Sequence, residues 1–235
     1  MIIDKCDIII NSAASVNFND PLQEALQINY FGCQRVLELA KECKHLEIFT
    51  QVSTCYVNCN RLGYIEEKIY NPDADVGSIV QNIMNMTVQD IKASESKLIG
   101  DYPNTYTFTK MMAEKQLVQS KGDLNVVIWR PAIIASSISD PFPGWTDQLS
   151  AAGGVTILGG MGFIPYLYGT GLNTVDLIPV DIVTNGLLVA TCHGARPDTE
   201  KLHIYNCGTS VQNPITLYDY KETMLKYYKY LRLNE

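Results

Sequence analysis

Short apolar runs that alternate with longer stretches of helical period constrain this chain more than any other feature. Asp7-Ile8-Ile9-Ile10-Asn11 is an apolar run stopped by small polar residues, and it suits a strand buried on both faces of a parallel sheet. Leu46–Val52 and Asn125–Trp129 read the same way. After the first run, Leu22, Leu26, Asn29, Cys33, Val36, Leu37 and Ala40 recur at helical spacing, which leaves one polar residue, Asn29, on the stripe facing the sheet. Asp20 is placed to cap that helix, Pro21 fits its first position and Gln23 completes a pattern like a capping box. A second helix is expected from about Thr105 to Lys121, stopped by Gly122. Further on, Asp181–Cys192 reads as a helix, Leu202–Cys207 as a strand and Tyr218–Tyr230 as a closing helix. Strands separated by helices of this length form βαβ units, hence an α/β fold on a parallel sheet with right-handed crossovers. At 235 residues and 46% apolar content one large domain is expected.

Charge and cysteine content narrow the function classes. Lys and Arg number 18 against 25 Asp and Glu, a net charge of −7, so the chain lacks the basic footprint of a nucleic-acid binder. A nucleotide cofactor needs only one or two local cations and stays open. The seven cysteines include no C-x-x-C pair and no matching His cluster, which points to reduced thiols in an intracellular setting and to no metal site. No apolar run is long enough to span a bilayer.

Residues 140–175 differ from the rest: they hold eight of the sixteen glycines and no Lys or Arg. Such a stretch is too uncharged for a simple solvent loop and too rich in glycine for a regular element. It reads as a shaped, partly apolar cover over a pocket, or as a loop packed on its own domain.

Four segments carry candidate chemistry. Tyr106-Thr107-Phe108-Thr109-Lys110 places a phenol and an ammonium on one helical face, close enough for Lys110 to lower the Tyr106 pKa. A phenol tuned in that way can move the proton required when hydride reaches a carbonyl carbon. Ser53 and Thr54 follow the second strand at its carboxyl end, where ligands bind in open α/β sheets. Either hydroxyl can stabilise charge on a substrate oxygen, or can instead cap the following turn. Ala13 and Ala14, just after the first strand, are small enough for backbone to approach a dinucleotide. Pro131 and Ile133, after the third strand, can offer main-chain groups to a nicotinamide carboxamide. The order hydroxyl, Tyr, Lys across successive units is far more specific than any one part.

The segments NSAASVNF, QINYFGCQRVLELA, VSTCYVNCN, KLIGDYPNTYTFTKMMAE, WRPAII, DPFPGWTDQLSAAGG, IPVDIVTNGLL and IYNCGTSVQNPIT, from near residue 7 to near residue 216, resemble consecutive segments of the fatty acyl-CoA reductases. These are Rossmann-like enzymes of the extended short-chain dehydrogenase kind. The resemblance implies reduction of a long-chain acyl-CoA to a primary alcohol by two NADPH through a bound aldehyde. It further implies Tyr106 as proton donor, Lys110 on the cofactor ribose, and Ser53 or Thr54 on the carbonyl. Asn29 matches a helix asparagine that supports a proton relay in such folds, and reads equally well as a buried polar residue satisfied by backbone.

Such reductases open with a strand, a G-x-T-G-x-x-G turn and a helix, and no such motif stands in this chain. The N-terminal βαβ units are therefore expected to be missing from one incomplete reductase domain over 1–235, with a substrate-covering segment at about 139–175 and a substrate-side part at about 202–235. An incomplete sheet would expose an apolar edge. Three readings follow: a sequence without its first units, a fragment whose edge a partner chain covers, or a relic kept as a catalytically inactive scaffold subunit. The resemblance implies a peroxisomal or endoplasmic reticulum membrane surface, reached through regions absent from this chain, and a mitochondrial setting for a scaffold. Another extended short-chain dehydrogenase, acting on a sugar nucleotide or small ketone, is the remaining alternative. A diphosphate would call for cations that 140–175 lacks.

Overall fold

The structure is a computed structural model that describes residues 2–148, 151–164, 166 and 168–231. It divides into two compact units, one of residues 1–130 with 188–206 and one of residues 131–187 with 207–235. The alternation of strands and helices expected from the sequence is present. In the first unit β1 (Ile8–Asn11) leads through α1 (Leu22–Ala25), a π-helical turn (Leu26–Tyr30) and α2 (Phe31–Glu42) to β2 (Ile48–Val52). After β2 come α3 (Val76–Asn85), α4 (Val88–Ile99), α5 (Thr105–Ser120) and β3 (Val126–Pro131).

β1 pairs with β2 and β2 with β3, both parallel, with Ile10 opposite Thr50 and Gln51 opposite Ile128. The second unit begins with β4 (Ile133–Ala135), α6 (Ala151–Gly160), β5 (Thr174–Val175) and β6 (Leu177–Pro179), and α7 (Val180–Gly194) starts in it and ends in the first unit. Then β7 (Leu202–Cys207) completes the main sheet in the order β1-β2-β3-β7, and β8 (Ile215–Thr216) and α8 (Leu217–Leu231) end the chain. Among the described residues β1 is an edge strand, and its Ile8 and Ile10 are 46% and 37% exposed. No helix of the described residues is long and apolar enough to cross a membrane.

Helix α5 organises the first unit because it is buried on both sides. Phe108, Met111 and Met112 join Leu22, Leu26, Val80, Ile83 and Ile91 in one cluster, while Ala113 and Leu117 join Leu37, Phe49, Val126 and Ile128 in another. Each large side chain buried in this way contributes about 1.5–3 kcal/mol. The first cluster depends on α3 and α4, two helices that the apolar pattern between 60 and 100 did not bring out. Their starts carry ordinary signals: Asp75 accepts from the Ser78 N–H at 3.0 Å, and Thr87 accepts from the Asp90 N–H at 3.2 Å.

The start of the first long helix differs from expectation. Asp20 does not cap it; its carboxylate accepts from the Ser15 hydroxyl and from Asn17 Nδ2. Gln23 reaches the carbonyls of Ile83, Met84 and Met86 at 3.0–3.3 Å, so it ties α1 to the end of α3 instead of closing a capping box.

In the second unit β4 pairs with β6 in parallel, and β5 with β8 in antiparallel fashion. Here the glycine-rich stretch corrects the sequence reading, since Ala151–Gly160 is a regular helix. Leu149, Ser150, Pro165 and Leu167 of that stretch lie outside the described residues, as do 232–235 of the C-terminal part. The helix forms because its glycines admit a partner. A Cβ on Gly160 would come within 1.9–2.3 Å of the Tyr228 ring, and one on Gly159 would meet Met224 of α8 at 3.2 Å. Tyr228 also donates to the Thr156 carbonyl at 3.0 Å, and Tyr220 to that of Ala152 at 3.0 Å. Close helix contact thus outweighs the poor helical propensity of glycine. Gly160→Ala is expected to displace the Tyr228 ring and lower the unfolding free energy by about 1–3 kcal/mol, read by urea denaturation; an unchanged midpoint would mean the two helices do not meet at this residue.

Candidate active site

The carboxyl ends of β1 and β2 and the first two turns of α5 converge within the first unit. Past β2 the ladder extends by one bond, Ser53 N–H to the Trp129 carbonyl at 2.7 Å. Thr54 then turns the chain: its backbone is extended, and its hydroxyl oxygen accepts from the Tyr56 N–H at 3.3 Å to open a short 3₁₀ turn at Cys55–Asn58. Ser53 Oγ is buried and has no hydrogen-bond partner. A buried hydroxyl in that state is incomplete, because nearly all such groups in folded proteins are satisfied.

Asn104 caps α5 by accepting from the Thr107 N–H at 2.9 Å, which sets Tyr106 in the first turn and Lys110 one turn on. The Tyr106 ring stacks on Phe18, with centroids 5.5 Å apart, and its phenol hydrogen-bonds Thr54. Burial pushes the Tyr106 pKa up, and the Thr54 bond pulls the other way with less effect. The expectation that Lys110 lowers Tyr106 is therefore corrected for this structure. Lys110 is on the same side of the helix but donates to the Val52 carbonyl at 3.0 Å. Tyr106 consequently stays un-ionised at neutral pH, the form in which a phenol can give a proton.

Val52 O also accepts from Gln51 Nε2 at 3.0 Å, and Gln51 Oε1 accepts from Asn11 Nδ2 at 2.8 Å and from the Cys33 thiol at 3.1 Å. The sequence reading passed over Gln51, although a Gln within the apolar run LEIFTQV was a visible signal. It passed over Phe18 as well. Asn29, within the π-helical turn, accepts from the Ser15 N–H at 2.9 Å and donates to the Ser15 carbonyl at 3.2 Å and to Thr109 Oγ1 at 3.0 Å. Its amide is thereby filled, and it brackets the loop after β1 against α5. Thr105 holds the same loop by donating to the Asp20 carbonyl at 2.9 Å.

Ala13 is exposed and Ala14 half-buried on that loop, so both leave backbone open to a flat ligand. Pro131 ends β3 and is buried, whereas Ile133 opens β4 with its N–H on the Asp176 carbonyl at 3.0 Å. Both belong to the second unit. A dinucleotide fits the chemistry of the first-unit residues: small side chains at a strand end, the buried Lys110 ammonium, and an unsatisfied hydroxyl. Among the described residues no group of three or more His, Cys, Asp or Glu could hold a metal ion.

Burial pushes Lys110, 4% exposed, down from its ordinary 10.5 to about 8, with Cys33 and Glu114 opposing the shift. Because the folded value lies below the unfolded one, the unfolded chain binds more protons between pH 8 and 10.5, and stability at this group rises through that window. Below pH 8 the full cost of the buried ammonium is present. The unfolding free energy of the wild type relative to Lys110→Met should increase by about 3 kcal/mol across the window, measured by urea titration at several pH values. A flat difference would contradict a buried ammonium.

Residues 1–187 match the NAD-binding family described as male sterility protein. Fatty acyl-CoA reductase 1 of Xenopus laevis is 39% identical over 213 residues, 91% of this chain and 41% of that protein. The human fatty acyl-CoA reductase 1 is 37% identical over 214 residues, again 91% of this chain and 41% of the relative. This chain thus spans well under half the length of these relatives. Among solved structures, the thiolation-reductase di-domain of an archaeal non-ribosomal peptide synthetase superposes with a TM-score of 0.64 at 19% identity, covering 96% of this chain and 43% of that one. MoeE5 in complex with UDP-glucose and NAD gives 0.65 at 15% identity, covering 96% and 63%. At such identities the likeness to these two is one of fold. The fold, the ordered site at the strand ends and the match over most of its length agree: the chain belongs to the male sterility protein family of NAD-binding reductase domains.

Proposed function

We propose that this chain is the reductase portion of an enzyme that converts a long-chain fatty acyl-CoA to a primary alcohol with NADPH. The observation that carries the reading is the buried, unpartnered Ser53 hydroxyl beside the hydrogen-bonded Thr54 and Tyr106. A carbonyl oxygen is the ligand such a cluster is built to receive: Ser53 or Thr54 donates to it, and Tyr106 supplies a proton as charge develops there. Lys110 and the small residues Ala13 and Ala14 would hold the cofactor, which when bound supplies hydride. The fatty acyl-CoA reductases that align over 91% of the chain support the substrate class.

The overall balance is one acyl-CoA, two NADPH and two protons giving one primary alcohol, free CoA and two NADP⁺. The first reduction breaks the thioester C–S bond and leaves an aldehyde; the second reduces that aldehyde, and Tyr106 protonates the resulting oxygen. No covalent nucleophile is required. Burial pushes the Cys33 thiol up to about 12, and Cys55 donates to the Arg130 carbonyl at 2.9 Å.

The test is NADPH oxidation with palmitoyl-CoA, paired with product analysis for hexadecanol. Tyr106→Phe should lower kcat by about 10²–10⁴-fold while leaving NADPH affinity near the wild-type value. Wild-type protein that binds no NADPH, or a Tyr106→Phe variant as active as wild type, would overturn the assignment and leave a scaffold role for the fold.

A further inference from the structure

Cys6 follows the short 3₁₀ turn Ile2–Asp4, and Cys43 is the residue at which α2 ends. Two main-chain bonds hold these segments together on either side of the cysteines. The Lys44 N–H donates to the Ile3 carbonyl at 3.0 Å, and the Glu47 N–H donates to the Asp7 carbonyl at 2.8 Å. A third tie is the Lys44–Asp4 ion pair at 2.6 Å. The Cys6 thiol donates to the Ile8 carbonyl at 3.4 Å and the Cys43 thiol to the Leu39 carbonyl at 3.3 Å, and the two thiols are near enough to act on one another electrostatically. Both are reduced and partly exposed. Of the other cysteines, Cys33 and Cys207 are buried, Cys55 is partly exposed, and Cys59 and Cys192 are exposed.

Two partly exposed thiols on segments that backbone bonds and an ion pair already hold side by side are placed for a cross-link. We propose that Cys6 and Cys43 form a peroxide-responsive dithiol, oxidised to an intrachain disulfide that ties the segment before β1 to the end of α2.

Cys43 caps the C-terminal end of α2, where the helix dipole disfavours a thiolate, and its thiol donates to the Leu39 carbonyl at 3.3 Å, so Cys43 is the resolving thiol. The Cys6 thiolate attacks one peroxide oxygen; the O–O bond breaks, water leaves after protonation, and Cys6 becomes a sulfenic acid. Cys43 sulfur then attacks Cys6 sulfur; the S–O bond breaks, and the Cys43 proton departs with the second water. Two thiols and one hydrogen peroxide give one disulfide and two waters, the sulfurs losing two electrons in all. This site does not depend on the reductase assignment.

The test treats the folded protein with hydrogen peroxide, alkylates remaining thiols with iodoacetamide and maps peptides by mass without reduction. The expected product is one linked pair containing Cys6 and Cys43, two hydrogens lighter than its separate peptides and released by dithiothreitol. Cys43→Ser should instead trap Cys6 as a sulfenic acid that dimedone labels, and Cys6→Ser should leave Cys43 free to alkylate. Circular dichroism on both serine variants confirms that they fold. Undiminished alkylation of Cys6 and Cys43 after peroxide, a link only between separate chains, or preferential oxidation of Cys59 or Cys192 would each overturn the proposal.

Discussion

The arrangement of the first unit turns on one buried ion pair. The guanidinium of Arg130, 1% exposed, meets the Glu114 carboxylate through Nε at 2.9 Å and a terminal nitrogen at 2.7 Å, and also reaches the Lys68 carbonyl and Asn206. Two parallel bonds fix orientation as well as distance. They join α5 to β3, the stretch after the 3₁₀ turn and β7. Loss of either partner alone would strand a charge in the interior, at a cost of about 3–5 kcal/mol. Glu114 lies one turn beyond Lys110 on α5, so this pair ties to β3 the helix that carries Tyr106 and Lys110.

From that anchor a polar layer runs along the carboxyl ends of the strands. Asn11 holds Gln51, Gln51 and Lys110 share the Val52 carbonyl, and Asn29 brackets Ser15 against Thr109. These bonds hold the loop after β1 and the end of β2 in place before any ligand arrives. Burial dominates the electrostatics: it keeps the Tyr106 phenol protonated and brings the Lys110 ammonium close to losing its proton. Just past the end of β2, the buried Ser53 hydroxyl is among the polar groups of the described residues left without a hydrogen-bond partner.

Much of this was legible in the sequence because it rests on local pattern. Strands β1 to β3 announced themselves as apolar runs, α5 through its spacing and its Gly122 stop, and the Tyr106–Lys110 pair through four-residue periodicity. What escaped depends on contacts between distant residues. Gln23 looked like part of a capping box, yet it reaches three carbonyls around the end of α3. The glycines of α6 looked like loop until Tyr228 and Met224 supplied a reason for their lack of side chains. Spacing put Lys110 on the Tyr106 face correctly but could not say that its amine would turn to Val52. Helices α3 and α4 were the avoidable omission, since Asp75 before Ser78 and Thr87 before Asp90 were readable caps.

The assignment as an acyl-CoA reductase is tested most directly by following hydride. With NADPH carrying deuterium at the transferable C4 position and palmitoyl-CoA as substrate, hexadecanol bearing both deuterons on its carbinol carbon is the expected product. Palmitoyl-CoA recovered unreduced, or alcohol without deuterium at that carbon, would contradict it.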